Sequence, residues 1–105
     1  MVASWTLANA EHRASEWADT FKIPPREERA RLVVGDLVKL VFLDHKQRGE
    51  RMWVEITAAG GVEPRYQGRL RDDPVQITGL RYGAVIRFGP EHITEYVNEA
   101  AEGET

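Results

Sequence analysis

Histidines are the residues whose chemistry would most readily support metal binding in this sequence. His12, His45 and His92 lie far apart along the chain, and no two of them have the short spacing of paired ligands on a helix or strand. A zinc site needs three or four converging ligands, and the chain contains no cysteine that could supply a thiolate. We therefore expect neither a metal site nor a cofactor.

The adjacent carboxylates Asp72 and Asp73 could in principle share acid–base chemistry. They directly precede Pro74, however, and neighbouring side chains before a proline usually point apart and shape a turn. The sequence also lacks a glycine-rich phosphate loop that opens a helix, and it lacks a nucleophile elbow. We therefore expect a protein that is not an enzyme and has no catalytic residues.

A second group of residues has the composition of a ligand-binding surface. The sequence predicts strands at about residues 51–58 and 65–71. If these two strands pair, their outward faces place a tryptophan and a glutamate beside four arginines. An aromatic ring flanked by arginines can stack on nucleic-acid bases and contact phosphates. The candidate residues of this surface are Arg51, Trp53, Glu55, Arg65, Arg69 and Arg71.

The same residues also have a purely structural interpretation. Glu55 would then pair with a neighbouring arginine, and Trp53 would pack beneath the N-terminal helix. Leu37, Val41 and Leu43 favour this interpretation, because they lie on the outer face of the first predicted strand. An antiparallel sheet with one wet face alternates more regularly, so these apolar residues indicate that something covers the face.

The stretch Gly35–Thr57 would position the candidate surface, and its pattern predicts a β-hairpin. Its two arms, about residues 36–43 and 51–58, are rich in β-branched and large apolar residues and are joined by a polar loop. Side chains alternate between the two faces of a strand. The inward residues are expected to be Val38, Leu40 and Phe42 in the first arm and Met52, Val54 and Ile56 in the second.

Helical spacing precedes the hairpin and strand-like spacing follows it. Before the hairpin, we expect a helix at about residues 9–19, with Asn9 as its N-cap, and a short helical turn at 25–31. After the hairpin, the alternation of apolar residues and the glycine turns predict further short strands. These are a strand at about 65–71, a short strand containing Val75 and Ile77, a strand at 84–88, a 3₁₀-type turn at 89–92 and a last strand at 93–97.

This order of elements predicts a mainly β (α+β) fold. We expect a small, SH3-like, partly open barrel of five or six short strands with an N-terminal helix, and an OB-like barrel is the alternative. The chain would form one domain overall. Residues 1–34 would be an N-terminal helical cover and linker, residues 35–97 the small barrel, and residues 98–105 a disordered acidic tail.

Charge and hydropathy narrow the class of protein. The net charge of −3 comes from the C-terminal residues, since residues 90–105 contain five glutamates and no lysine or arginine. Residues 36–89 contain nine basic and seven acidic side chains. No apolar run approaches the roughly 20 residues that span a bilayer, and the first residues lack the pattern of a secretory signal. We therefore expect a cytoplasmic protein without membrane contact.

Several short segments occur in a recognisable order along the chain: Thr20–Pro24, Gly35–Phe42, Gly49–Glu55, Asp72–Pro74, Tyr82-Gly83 and Phe88–Ile93. This order resembles a bacterial family of small conserved domains of unknown function, the YegJ-like group. Gly-Glu-Arg-Met-Trp-Val is the most specific of the segments, whereas Asp72 departs from the asparagine of many relatives. The resemblance implies a stand-alone bacterial domain, or one fused to other modules. It brings no catalytic residues, because the family has no established reaction.

These observations lead to one functional prediction and two alternatives. We predict a non-enzymatic binding or protein-interaction module. One alternative is a small barrel that binds RNA or another single-stranded nucleic acid through Trp53 and the arginines of the third predicted strand. The other is an immunity or adaptor protein whose acidic residues, within 91–105, meet a basic protein partner.

Overall fold

The computed structural model describes residues 4–99, and its main feature is a six-stranded antiparallel sheet. The sheet curls into a small, partly open barrel, which confirms the predicted fold class. Among these residues, two short helices and one 3₁₀ helix lie together at one end of the barrel. The elements are β1 (Trp5–Leu7), α1 (Ala10–Glu16), α2 (Arg26–Arg29), β2 (Leu37–Asp44), β3 (Gly49–Ala58), β4 (Tyr66–Leu70), β5 (Val85–Phe88), the 3₁₀ helix Pro90–His92 and β6 (Ile93–Val97).

Strand β2 is the centre of the sheet. One of its edges pairs with β3, and the sheet continues from β3 through β4 to β5. The other edge is shared by two strands: β1 pairs near the C-terminal end of β2, with Trp5 opposite Asp44, and β6 pairs near its N-terminal end, with Val97 opposite Leu37. This shared pairing curls the sheet around a single core.

The barrel interior is filled by the residues that the alternating pattern predicted to face inward. All six inward residues of the predicted hairpin are at most 2% exposed. Because side chains alternate across each strand, the residues between them face outward and carry the candidate surface. The fully buried core side chains are Val38, Leu40, Phe42, Met52, Val54, Ile56, Tyr66, Leu70, Ile86, Phe88 and Ile93.

One observed strand was not predicted, and one predicted strand is not observed. The unpredicted strand is β1, Trp5–Leu7, which lies in the segment assigned to the N-terminal helical cover. Val75 and Ile77, which were expected to form a short strand, are not in a strand. The Glu50 carboxylate explains this difference, because it accepts hydrogen bonds from the backbone N–H groups of Val75, Gln76 and Ile77 at 2.7, 3.0 and 3.2 Å. These donors are therefore not free for a β-ladder.

The N-terminal helix is shorter than predicted. Asn9 caps α1 as expected, since its side-chain oxygen accepts the backbone N–H of His12 at 2.9 Å. The helix ends at Glu16, and Trp17 leaves helical geometry with φ −124° and ψ 49°. Trp17, just beyond the end of the helix, is 62% exposed.

A buried arginine fixes both helices to one end of the barrel. Arg29 is only 4% exposed, and its guanidinium donates to Pro24 O at 2.8 Å, to Pro90 O at 2.6 Å and to the Glu11 carboxylate at 2.8 Å. The Tyr66 hydroxyl, inside the barrel, donates to Arg29 O at 2.7 Å. These contacts join α1, α2, the 3₁₀ helix and β4 into one rigid end, because charge-assisted hydrogen bonds are short and directional.

The predicted acidic tail falls largely outside the described residues, since residues 100–105 are not among them. Within the described part of the chain, the helices are all too short and too polar to cross a membrane.

Candidate functional site

The outward face of β3 carries Arg51, Trp53 and Glu55, as the alternation predicts. The β2–β3 register places Lys39 directly opposite Trp53, and on the other side the backbone N–H of Arg71 donates to Trp53 O at 2.9 Å. Trp53 therefore lies between Lys39 on β2 and Arg71, which directly follows β4. We call the surface formed by Lys39, Trp53, Glu55, Arg69, Arg71 and Tyr82 the Trp53 face.

A lysine covers part of the Trp53 ring. Lys39 Nζ is 4.7 Å from the ring centroid, the distance of a cation–π contact, and 3.6 Å from Glu95 Oε2. Helix α1 packs mainly against the 3₁₀ helix rather than against β3, which gives no support to the structural interpretation that placed Trp53 beneath the N-terminal helix. Trp53 remains partly exposed, and its backbone N–H is fixed by Asp72 Oδ2 at 2.7 Å.

Arg71 connects the remaining polar groups of the Trp53 face. Its guanidinium forms an ion pair with the Glu55 carboxylate, as the structural interpretation of Glu55 had predicted. The neighbouring Tyr82 hydroxyl and then the Glu55 carboxylate raise the pKa of Arg71 above its ordinary value, so the guanidinium stays charged. Tyr82 itself is 52% exposed, so Arg71 lies next to two aromatic residues that solvent can reach.

The other three predicted arginines have different environments. Arg69 lies opposite Glu55 and donates to Gly83 O at 3.0 Å, within the Trp53 face. Arg51 lies over the Phe21 ring, at 5.3 Å from its centroid. Arg65 is not part of this face: it precedes β4, and its Nε donates to Ala30 O at 2.8 Å, at the C-terminal end of α2. The ladder extends only from Tyr66 onward, so the strand no longer holds Arg65 in line with the others.

Three contributors to this surface were not among the predicted site residues. Lys39 could have been predicted as a neighbour of Trp53, because the length of the loop between the two hairpin arms sets their register and places Lys39 opposite Trp53. Asp72 was assigned to a turn, which is compatible with its contact to the Trp53 backbone. Tyr82 lies in the segment between β4 and β5, and no sequence pattern connects that segment with Arg71.

Each histidine for which the structure gives a side-chain contact has a different partner. His12 Nε2 lies 2.8 Å from Glu16 on the same helix, whereas His92 Nδ1 accepts the backbone N–H of Gly89 at 3.0 Å. Burial lowers the pKa of His92, against the opposing charges of Glu91 and Glu11. Among residues 4–99, no three histidine, aspartate or glutamate side chains are grouped so that they could hold a metal ion.

The Trp53 face thus combines one internal ion pair with two partly exposed aromatic rings. Glu55 and Arg71 are paired within the face, whereas Lys39 pairs with Glu95 at its border and Arg69 donates to a backbone carbonyl. Trp53 and Tyr82 are partly open to solvent. Comparisons with family models, with curated proteins and with solved structures found no match for this chain.

Proposed function

We propose that this chain is a non-enzymatic protein-interaction module whose contact surface is the Trp53 face. The observation that carries this proposal is the position of Arg71 beside both Trp53 and Tyr82 on the outer surface of the sheet. Tryptophan, tyrosine and arginine are the residue types that dominate the binding energy of protein interfaces. Here all three occur together on a strand-supported surface.

The arrangement of charges also suits a protein partner. Arg71 is held in place by Glu55, and Lys39 is held by Glu95. Such side chains lose little conformational freedom when a partner binds, which reduces the entropic cost of association. Because both signs of charge are present, a partner with complementary charges would be selected over one with uniform charge.

A recess beside the Trp53 face offers a place for a side chain of the partner. It has a volume of about 340 Å³ and is lined by Gly35, Leu37, Glu55, Arg71 and Glu99. Pockets next to exposed aromatic residues commonly receive the central residue of an interface. The Glu55 and Arg71 pair lies in the wall of the recess and would orient a polar group there.

The proposal is tested first by finding a partner that contacts this face. A photo-crosslinking amino acid at Tyr82 should capture one dominant protein in cells. The same amino acid at Val75, which is 90% exposed and outside the Trp53 face, serves as the matched control. Equal capture from both positions would show that the crosslinks are non-specific and would contradict the proposal.

The affinity of the purified partner then tests the role of the tryptophan. Trp53→Ala should weaken binding by at least about 30-fold, which corresponds to a hot-spot contribution of roughly 2 kcal/mol. Val33→Ala is the control, since Val33 is 53% exposed and lies outside the face. Thermal unfolding of both variants verifies that they are folded. Unchanged affinity of a folded Trp53→Ala protein would refute the assignment of the surface.

Nucleic-acid binding is the second candidate, because cations outnumber acidic groups on the outer side of these strands. The cations are Lys39, Arg51, Arg69 and Arg71, against Glu55 and Glu95. If single-stranded RNA binds there, its affinity should fall steeply with salt and should be lost in Trp53→Ala. The pairing of Arg71 with Glu55 weighs against this candidate, because a phosphate would have to compete with the carboxylate.

We further infer that the barrel is of the SH3-like type rather than OB-like. Strands β2 to β5 pair in chain order, and the 3₁₀ helix Pro90–His92 precedes the last strand, β6, which returns to pair with β2. Membership of the YegJ-like family, a cytoplasmic location and an immunity role stay predictions from the sequence.

A further inference from the structure

A second hollow lies at the end of the barrel that carries α2 and the 3₁₀ helix, away from the Trp53 face. Its volume is about 490 Å³, within the range of roughly 300–1,000 Å³ that small-molecule sites occupy. Three arginines from three separate elements line it: Arg26 from α2, Arg65 from the segment before β4, and Arg87 from β5. We call it the arginine hollow.

Arg65 and Arg87 have donors available for a ligand. Arg65 uses its Nε to contact Ala30 O at 2.8 Å, which fixes its position, and within residues 4–99 its terminal amino groups form no hydrogen bond. Arg87 is exposed on β5 opposite Gln67, and among residues 4–99 its side chain makes no hydrogen bond or ion pair. Arg26 differs from both, because the Glu11 carboxylate already neutralises it.

The walls of the hollow set the chemistry of the ligand. Ala30, Val62, Pro64, Phe88 and Pro90 contribute an apolar lining. The lining also includes the carboxylates of Glu63 and Glu91. These would repel a doubly charged anion more strongly than a singly charged one. A planar carboxylate matches the two-pronged donor geometry of a guanidinium.

The base of the hollow is rigid before any ligand arrives. The buried Arg29 donates to Pro90 O at 2.6 Å, and Tyr66 donates to Arg29 O at 2.7 Å from inside the barrel. Gly89 is anchored by its N–H bond to His92 Nδ1. A preformed site avoids the cost of ordering its walls when it binds a ligand.

We propose that the arginine hollow is a binding site for a small organic monocarboxylate, whose carboxylate group is held by Arg65 and Arg87 and whose apolar body lies against Val62, Pro64 and Pro90. This site is separate from the Trp53 face and does not depend on the proposed function. The two arginines also border a neighbouring hollow of about 310 Å³, so a ligand with a longer body has room on their far side.

The test is a titration of the ¹⁵N-labelled 105-residue chain, followed by NMR, with hexanoate as the probe. Hexanol, which has the same apolar body without the charge, is the matched ligand control. Hexanoate should cause saturable shifts at the amides of residues 62–65 and 87–92, with a dissociation constant in the millimolar range or tighter, whereas hexanol should not. Absence of saturation, or shifts of equal size with hexanol, would overturn the proposal.

Two variants and a phosphate arm complete the experiment. Arg87→Gln and Arg65→Gln should each weaken hexanoate binding by about tenfold or more, because each removes a charge-assisted contact. The exposed Arg81→Gln, outside the hollow, should leave the affinity unchanged, and an equal loss in Arg81→Gln would refute a localised site. Inorganic phosphate should bind more weakly than hexanoate, and tighter phosphate binding would overturn the carboxylate assignment.

Discussion

The Glu50 carboxylate should hold the segment between β4 and β5 in place, and its removal should destabilise the protein. Glu50→Ala would leave three backbone N–H groups without their acceptor. The N–H of Val75, on a residue that is 90% exposed, can be replaced by a water contact, whereas Ile77 is only 4% exposed and its amide would be left buried. Hydrogen bonds to charged groups contribute about 1.5–3 kcal/mol when desolvated and less when exposed, so we expect a loss of about 2–3 kcal/mol.

Chemical denaturation, followed by tryptophan fluorescence, measures this loss of free energy of unfolding. In a separate thermal scan, the melting temperature should fall by about 10–20 °C for a domain of this size. Glu50→Gln keeps one oxygen acceptor and should lose roughly half as much free energy of unfolding. Hydrogen exchange provides a local readout, because the amides of residues 75–77 should exchange faster in Glu50→Ala than in the wild type.

A matched control removes a carboxylate that lacks these contacts. Glu27 is exposed on α2, and Glu27→Ala should change the free energy of unfolding by no more than about 0.5 kcal/mol. If Glu50→Ala costs no more than Glu27→Ala, and exchange at residues 75–77 is unaltered, then the carboxylate does not hold this segment and the reasoning is wrong.

Two further predictions concern the barrel and its acid sensitivity. Gly68→Ala should lose about 3 kcal/mol in a denaturation experiment, because the added Cβ would lie 2.4 Å from Glu55 O; a loss below about 1 kcal/mol would contradict this. Burial opposes ionisation of Glu11, but hydrogen bonds from Arg29 and Arg26 outweigh it and hold its pKa below the ordinary 4.5. The resulting stabilisation is complete above pH 4.5 and is lost as pH falls through the folded pKa. In denaturation experiments at a series of pH values, the wild type should therefore lose stability more steeply in acid than Glu11→Gln. Parallel pH profiles of the two proteins would refute this prediction.

The burial of side chains could be predicted where the alternation within a single strand determines it. Val38, Leu40 and Phe42 alternate with less buried neighbours, and the two-residue period places them in the core regardless of which strands pair. The last strand, Ile93–Val97, was likewise predicted with its observed bounds, and the 3₁₀ helix Pro90–His92 lies within the turn predicted at 89–92, because a proline and a glycine mark it.

Secondary structure could not be predicted where it depends on a residue far away in the sequence. Trp5–Leu7 is a strand because β2 offers it an open edge, and three residues carry too little periodicity to show this. Val75 and Ile77 alternate as a strand would, yet Glu50, some 25 residues earlier, takes their backbone donors.

The candidate surface was predictable to the same extent. The faces of β3 and β4 follow from alternation, and so do the positions of Trp53, Glu55, Arg69 and Arg71. The departure of Arg65 toward α2 depends on where the β-ladder begins. Strand boundaries are set by tertiary pairing, so the pattern of side chains could not show it.

The central position of β2 has a consequence for the behaviour of the chain when it is unfolded. Leu37–Leu43 is a run of β-prone apolar residues interrupted only by Lys39, the composition of segments that assemble into cross-β fibrils. In the folded chain β3 covers one edge of this strand, while β1 and β6 share the other. Lys39 therefore has a second role as the single charge that opposes self-association of this segment, and its replacement by an apolar residue should make refolding from denaturant aggregate at lower protein concentration.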